Sequence, residues 1–229
     1  MQPDREKPQS DYHLDQPIPG LGAVVLCGGK SKRMGVDKSQ LVFNGKTFLE
    51  NVIEQVSAVT DLIVLVGDID FGAHQLPSNI LITEDERPNC GPLEGIRVGL
   101  KQLSKSVDHA LVTSCDVPLL KPELIRYLFD RVGKFQAIVP VGDRQLLAMT
   151  AIYRTEAHAI IDQRVAAGQL RVSDLADAIE TFKIPVESLK EVDPDGDLMT
   201  NINSADDYLA LLERFSQQCP SDLLARLNR

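Results

Sequence analysis

No run of apolar residues in this chain approaches the roughly 18 that a membrane-spanning helix needs, so no membrane segment is expected. The polar, acidic N-terminus does not show the pattern of a signal peptide. The chain has only four cysteines, Cys27, Cys90, Cys115 and Cys219, and they are far apart with no C-x-x-C pair. This pattern argues against a disulfide framework in a chain of this length and suits a reducing compartment. We therefore expect a cytoplasmic protein.

Basic residues do not outnumber acidic ones in this chain. The formal net charge is −9, which argues against a general nucleic-acid-binding protein. The four histidines show no metal-ligand spacing, so the sequence indicates neither a zinc site nor a histidine-based triad. What remains is an ordinary globular composition, 43% hydrophobic and 25% charged, over 229 residues. That length suits one sizeable α/β domain or two small ones.

Short apolar runs alternate with helix-like segments from about residue 21 onward. The predicted strands are Val24–Leu26, Leu62–Val66, Ile80–Thr83, Ala110–Thr113, Ala137–Val141, Ala148–Tyr153 and Phe182–Val186. The predicted helices are Thr47–Ser57, 93–103, 122–131, Thr155–Ala167 and one that Ser204 caps. This alternation predicts a three-layer α/β/α sandwich around a mostly parallel, Rossmann-like sheet. We expect residues 1–20 to be a disordered leader, 21–215 a single domain, and 216–229 a C-terminal tail.

The stretch from Leu26 to Lys38, LCGGKSKRMGVDK, is the most informative part of the sequence. Gly28 and Gly29 follow the first predicted strand and allow a tight turn that presents backbone N–H groups. Four cations follow within nine residues: Lys30, Lys32, Arg33 and Lys38. Together these features predict a nucleoside triphosphate site. The alternative is a glycine turn followed by a solvated basic loop.

Neither standard phosphate-binding motif fits this loop. The dinucleotide fingerprint G-x-G-x-x-G needs three glycines over six positions, which Gly28, Gly29 and Gly35 do not satisfy. The P-loop G-x-x-x-x-G-K-[ST] matches Gly45-Lys46-Thr47 only at its end, because Gln40 stands where the first glycine is required.

Polar side chains follow two further predicted strands. Asp85 comes after Ile80–Ile82, and Asp116 comes after Ala110–Thr113 with Pro118 ending the strand. Ligands of parallel sheets bind beyond the carboxyl ends of the strands, so the glycine loop and both carboxylates should share one edge. A carboxylate there could hold Mg²⁺, which prefers oxygen ligands. Asp116 is the better candidate, because Pro118 ends its strand at once and leaves the side chain at the rim, whereas Glu84 and Glu86 flank Asp85. The alternatives are a helix cap or Asx turn for Asp116 and a solvated acidic loop for Asp85.

Two amides, Asn201 and Asn203, precede the last predicted helix. In an extended segment, side chains at i and i+2 face the same side, so the pair would share one surface. The pair could bind ligand or metal, or it could cap the helix that follows.

The blocks LCGGKSKRMGVDK (26–38), TED…GPLEG (83–95), CDVP (115–118) and NINSADD (201–207) occur in this order. Together they resemble the molybdenum cofactor guanylyltransferases, the MobA-type members of the nucleotide-diphospho-sugar transferase fold, over about residues 21–212. The resemblance implies that the 21–215 domain is a nucleotidyltransferase domain. Two departures are Cys27, where the family usually has alanine, and Val66–Gly67, where some members carry an asparagine.

The resemblance also implies roles for individual residues. The nucleotide-binding set would be Leu26, Cys27, Gly28, Gly29, Lys38, Asp85 and Asp116. Asp85 stands at the position of the aspartate that contacts guanosine, and Asp116 at the Mg²⁺ ligand. Asn201 and Asn203 stand at the amide pair near the active-site floor, where the acceptor binds. Arg33, Lys38 and Asp116 would be the catalytic set, with both cations balancing the charge of the phosphates.

The implied reaction transfers GMP from GTP to molybdopterin with Mg²⁺ and releases pyrophosphate. The resemblance leaves room for transient contacts with other cofactor-biosynthesis proteins or with proteins that deliver the cofactor to molybdoenzymes. Three alternatives stay open: a cytidylyltransferase of the same fold, a sugar-phosphate nucleotidyltransferase, and a non-catalytic nucleotide-binding adaptor. Gly28 favours guanine, since cytidylyl relatives tend to have Ala-Gly in place of Gly28-Gly29.

Overall fold

A computed structural model describes residues 16–28, 36–68, 76–142, 146–197 and 200–227. Its central element is a seven-stranded sheet. The strands are β1 (Leu21–Leu26), β4 (Ile63–Val66), β5 (Leu81–Thr83), β6 (His109–Ser114), β7 (Ala137–Val141), β8 (Ala151–Arg154) and β9 (Thr181–Pro185). They lie in the order β5-β4-β1-β6-β8-β7-β9. Only β8 among these pairs antiparallel to its neighbours. The mostly parallel sheet of the prediction is confirmed.

Helices cover both faces of this sheet. The helices are α1 (Phe48–Ser57), α2 (Pro92–Leu103), α3 (Pro122–Phe129), α4 (His158–Ala166), α5 (Leu175–Ala178), α6 (Ala205–Arg214) and α7 (Ser221–Leu227). Apolar side chains of α1 and α3 pack on one face, and those of α2, α4 and α5 pack on the other. The central strands are buried on both sides, as their continuous apolar runs predict. The three layers of the predicted sandwich are therefore present.

A small unit beside the sheet was not predicted. Strands β2 (Val42–Phe43) and β3 (Lys46–Thr47) form a hairpin whose turn residues, Asn44 and Gly45, both have positive φ. The hairpin packs against α6 and α7 in a third apolar cluster that includes Ile202. The Tyr208 hydroxyl donates to the Val42 carbonyl at 2.8 Å and ties α6 to the hairpin. This unit fixes the segment that carries the two asparagines.

Several predicted boundaries differ from the structure by a few residues. The helix predicted over Thr155–Ala167 begins as a 3₁₀ turn at Thr155–Ala157 and becomes α4 only at His158. Among the described residues outside the predicted domain of 21–215, Ile18 and Leu223 are buried in cores at 3% and 8% exposure, and Cys219 and Leu227 pack against the third apolar cluster. The domain limits themselves stay a prediction. Among the described residues, no helix combines the length and apolar character that crossing a membrane requires.

Candidate functional site

The glycine loop and the Asp116 loop meet where β1 and β6 end. The Cys115 N–H donates to the Leu26 carbonyl at 3.1 Å, and the Cys27 N–H donates to the Val66 carbonyl at 2.7 Å. Strand pairing thus continues past the ends of β1, β4 and β6, and it places Leu26, Cys27 and Gly28 beside the start of the Asp116 loop. The predicted site residues Gly29 and Arg33 lie outside the described residues.

Gly67 lets β4 approach the end of β1 at this edge. A Cβ atom on Gly67 would lie 2.3 Å from the Cys27 carbonyl oxygen and 3.0 Å from the Gly28 nitrogen. Real Cβ atoms do not come this close to backbone, so only glycine fits here. Gly28 itself has room, because a Cβ there would meet only the Gly67 Cα at 3.6 Å.

Lys38 connects two of the other predicted site residues. Its ammonium Nζ donates to Asp116 Oδ2 at 3.0 Å and to Asn203 Oδ1 at 2.9 Å. Lys38 opens a short 3₁₀ helix, Lys38–Gln40, which Asp37 caps by accepting from the Ser39 N–H at 2.9 Å. The Lys38 and Asp116 side chains are 18% and 16% exposed, so water screens their attraction only in part. Three residues that are far apart in sequence form one charged cluster.

The Asp116 carboxylate is held from two sides. The Ser114 hydroxyl donates to Asp116 Oδ1, the oxygen that Lys38 does not contact. The backbone is fixed as well, because the Ile202 N–H donates to the Asp116 carbonyl at 2.9 Å. Sequence reasoning missed Ser114, although its spacing of two residues from Asp116 at a strand end was the available signal.

Burial alternates along the segment with the two amides. Ile202 is 1% exposed and points into the third apolar cluster, whereas Asn201 is half-buried and Asn203 is exposed. Both asparagines therefore lie on the side away from that cluster, as the i, i+2 spacing predicts. Capping of α6 is done by Ser204 and Asp207, which form a capping box. The Asn203 amide is thus available to Lys38.

Asp207 fixes the backbone of this segment, and sequence reasoning gave it no role. Its Oδ2 accepts from the N–H groups of Asn203 and Ser204, both at 2.9 Å. The Asn203 N–H is the main reason that the pKa of Asp207 is lowered; Ser204 and the charge of Lys38 lower it further. The ionised carboxylate holds Asn203 where its side chain reaches Lys38.

Asp85 follows β5, at the same edge of the sheet but on the far side of β4. Its side chain is exposed, and one carboxylate oxygen lies 3.5 Å from where a Cβ on Gly95 would be. Partial burial raises the pKa of Asp85, the nearby Glu94 raises it further, and Arg97 opposes both. From β5 to β6 there are three strand spacings, or about 14 Å. Asp85 and Asp116 thus lie along the same edge of the sheet, about three strands apart.

Cys27 contributes to this edge through its backbone. Its thiol is buried among the apolar residues facing α1 and α3. The pKa of the Cys27 thiol is raised well above its usual range, mainly by a hydrogen bond with Cys115 and secondly by burial. A protonated, buried thiol is a packing group, so the Cys27 side chain brings no charge to this edge.

The donor set fits a hard divalent cation. Within the described ranges, no group of three or more His, Cys, Asp and Glu side chains is placed to hold a metal ion. Asp116 would be the carboxylate ligand, and the Asn203 amide oxygen lies nearby, since both side chains accept from the Lys38 ammonium. Mg²⁺ is commonly bound by one or two carboxylates, with waters and substrate phosphates completing its shell. The oxygens at this site suit that mode.

A MobA-like NTP transferase domain matches residues 23–180. A probable molybdenum cofactor guanylyltransferase of Methanosarcina acetivorans is 30% identical over 202 residues, which cover 83% of this chain and 89% of that protein. Another, from Methanothermobacter thermautotrophicus, is 31% identical and covers 80% of this chain and 94% of its own length.

The fold comparison agrees. The crystal structure of molybdopterin-guanine dinucleotide biosynthesis protein A from Archaeoglobus fulgidus superposes with a TM-score of 0.72 at 25% identity, covering 85% of this chain and 98% of that one. The domain match spans most of the chain and includes Lys38 and Asp116, whereas Asn203, which contacts Lys38, lies beyond its end. The chain belongs to the MobA-like NTP transferase family and is a nucleotidyltransferase of the molybdenum cofactor guanylyltransferase type.

Proposed function

We propose that this enzyme transfers GMP from GTP to the terminal phosphate of molybdopterin. The observation that carries the proposal is the contact of the Lys38 ammonium with both Asp116 and Asn203 at the edge where Leu26–Gly28 leave the sheet. A phosphate oxygen of the acceptor attacks the α-phosphorus of GTP, the bond between the α-phosphorus and the bridging oxygen breaks, and pyrophosphate leaves. The product is the guanine dinucleotide form of the cofactor.

Lys38 and Arg33 supply positive charge to the phosphates in this proposal. The Lys38 ammonium lies beside the Asp116 carboxylate, so a phosphate that binds next to Asp116 would come within reach of this cation. A phosphate nucleophile is already ionised, so the reaction needs no general base. Positioning and charge neutralisation are then the main contributions of the protein.

Asp116 and Asn203 would hold Mg²⁺, the metal we propose for this enzyme. When bound, Mg²⁺ neutralises phosphate charge and lowers the repulsion between nucleophile and triphosphate. Ser114 keeps the Asp116 carboxylate oriented, and Asp207 keeps the Asn203 backbone in place. Asn203 and Asn201 together would form the floor on which the acceptor phosphate is bound.

The base end of the nucleotide would lie toward Asp85, about three strands from Asp116. An ionised carboxylate accepts from the N1–H and 2-amino groups of guanine, whereas cytosine does not offer this pair of donors. Gly28 also supports guanine over cytosine. A Cβ at this position would meet only the Gly67 Cα, so the absence of a side chain leaves space beside the strand end for a purine base. We propose the cytoplasm as the compartment, because the cysteine pattern is typical of a reducing environment.

Pyrophosphate release from GTP, CTP, ATP and UTP, each with Mg²⁺ and with or without molybdopterin, tests this proposal. GTP should give release that depends on the pterin. Lys38→Met should lower that rate at least tenfold, because it removes a charge-assisted contact. Lys46→Met is the matched control, since Lys46 pairs with Glu54 at the surface and should leave the rate unchanged. A preference for CTP, or turnover with a sugar phosphate instead of the pterin, would contradict the proposal.

A further inference from the structure

A buried ion pair lies beneath the loop that carries Asp85. Glu94 and Arg97, both in the first turns of α2, are 0% and 2% exposed. Arg97 Nε donates to Glu94 Oε2 at 2.8 Å, and Arg97 Nη2 donates to Glu94 Oε1 at 2.7 Å. A buried pair of this kind seldom adds stability over an apolar pair of the same size. Stability alone therefore does not explain why this pair is buried, and the groups that it contacts indicate its role.

The pair holds the loop on the C-terminal side of Asp85. The Arg87 N–H donates to Glu94 Oε1 at 3.1 Å, and Arg97 Nη2 donates to Glu86 Oε2 at 2.6 Å. Hydrogen bonds from Arg97 first and Lys101 second hold the pKa of Glu86 at about 2, so this carboxylate stays ionised at neutral pH. The two residues that follow Asp85 are each bound by one member of the buried pair.

The same network reaches α4. Arg87 Nη2 donates to Asp162 Oδ1 at 2.9 Å, and Arg97 Nη1 lies 3.4 Å from the same oxygen. The loop is therefore held by α2 and α4 together. This arrangement restricts the loop more than two exposed salt bridges would, because the guanidinium fork of Arg97 is fixed by burial.

Gly95 brings the same helical turn against Asp85 and β1. A Cβ at Gly95 would lie 3.0 Å from Leu26 Cδ2 and 3.5 Å from Asp85 Oδ1. The turn that contains Glu94 is therefore in reach of the Asp85 carboxylate and of the strand end that leads into the glycine loop. A small displacement of this turn would move Asp85 relative to Leu26.

We propose that the Glu94–Arg97 pair positions Asp85 for recognition of the guanine 2-amino group, so that the pair determines base specificity without touching the nucleotide. The inference rests on the proposed function, in which Asp85 receives guanine. Glu94 and Arg97 are positioning residues. They fix the loop through Arg87 and Glu86, and Asp85 lies next to both.

The test compares GTP with inosine triphosphate, which lacks only the 2-amino group. Binding of both nucleotides is measured by calorimetry with Mg²⁺, without the acceptor. Wild-type protein should prefer GTP about tenfold or more, as expected for a hydrogen bond to a charged group. Glu94→Gln and Arg97→Lys should bring the ratio of the GTP and inosine triphosphate affinities close to one. A neutral amide in place of Glu94, or a single ammonium in place of Arg97, cannot keep the hydrogen bonds that join Arg97 to Glu94 and Glu86.

Glu86→Gln is a second variant whose folding is not in doubt, since the Glu86 side chain is 49% exposed. It weakens the contacts of Arg97 and Lys101 with the loop but leaves the Glu94–Arg97 pair and the Arg87 N–H contact with Glu94 in place, so the ratio should fall by an intermediate amount. Hydrogen exchange of the Arg87 amide should become faster in Glu94→Gln. Leu128→Ala, in α3 on the other face of the sheet, is the control for general destabilisation and should keep the wild-type ratio.

The outcomes separate the two proposals. If wild-type protein shows no transfer with GTP, the proposed function fails. If wild type transfers GMP and prefers GTP over inosine triphosphate, but Glu94→Gln and Arg97→Lys keep the same ratio, the positioning role is overturned. An equal loss of affinity for both nucleotides in the folded variants would also overturn it, because a purely structural role lowers both alike.

Discussion

Replacing Gly67 by alanine should separate the ends of β4 and β1. The new Cβ would lie 2.3 Å from the Cys27 carbonyl oxygen and 2.6 Å from its carbon. Both atoms belong to the backbone of the central strand, so no flexible side chain can move away. An ordinary Cβ contact is 3.4 Å or longer, so the two strand ends must part by about 1 Å.

The size of the effect follows from this geometry. Forcing an extra methyl into a packed site costs about 1–3 kcal/mol, and the rigid backbone here places Gly67→Ala at the upper end. For a protein of this length, each kcal/mol lowers Tm by about 2–4 °C. The expected loss is therefore about 6–12 °C. GTP affinity should fall too, because the displaced backbone leads directly into Gly28.

The assay is thermal unfolding followed by circular dichroism, with Gly28→Ala as the matched control. A Cβ at Gly28 meets only the Gly67 Cα at 3.6 Å, an ordinary contact, so this variant should unfold within about 2 °C of wild type. It should still weaken GTP binding, because its methyl group lies at the proposed nucleotide surface. A Gly67→Ala protein with an unchanged Tm would refute the reasoning from close approach.

Three further outcomes are expected. Asp207→Asn should lower the free energy of unfolding in urea by about 1 kcal/mol, because the capping box of α6 loses its charged acceptor. This contribution is present above the ordinary Asp pKa of 3.8 and is lost as pH falls through the lowered native value, so the two proteins should converge in acid. Ser114→Ala should raise the Mg²⁺ concentration needed for half-maximal pyrophosphate release about fivefold, since the Asp116 carboxylate loses one donor; an unchanged Mg²⁺ dependence would exclude that role. Because the pKa of Asp85 is raised above 3.8, the preference for GTP over inosine triphosphate should begin to fall at a higher pH than for an ordinary aspartate, and a preference constant down to pH 4 would argue against an ionised Asp85 at the base.

The main strands and helices could be predicted because each carries a local signal. Continuous apolar runs mark β1, β4 and β6, which are buried on both faces. Thr47 and Ser204 are the N-cap residues of α1 and α6, and Pro122 stands in the first turn of α3. The hairpin of β2 and β3 was missed because two-residue strands show no period. Its Asn44–Gly45 turn was the available signal.

The candidate site was predictable only in part, for a related reason. The ends of parallel strands meet at one edge, so the positions of Asp85 and Asp116 follow from the order of elements. The contact between Lys38 and Asn203 joins residues 165 positions apart, and no local pattern encodes it. It depends on how α6 and the hairpin pack beside the sheet. The link from Glu94 to the Asp85 loop likewise requires the packed position of α2.

The fate of the α-phosphate of GTP tests the central claim most directly. Wild-type enzyme is incubated with molybdopterin, Mg²⁺ and GTP radiolabelled at the α-phosphorus, and the products are separated and identified by mass. The account predicts a labelled pterin that is heavier by one guanylyl group (GMP less one water), formed together with pyrophosphate, and strongly reduced product with Asp116→Asn. Label that stays in GTP, or that appears in free GDP or GMP without a pterin adduct, would contradict it.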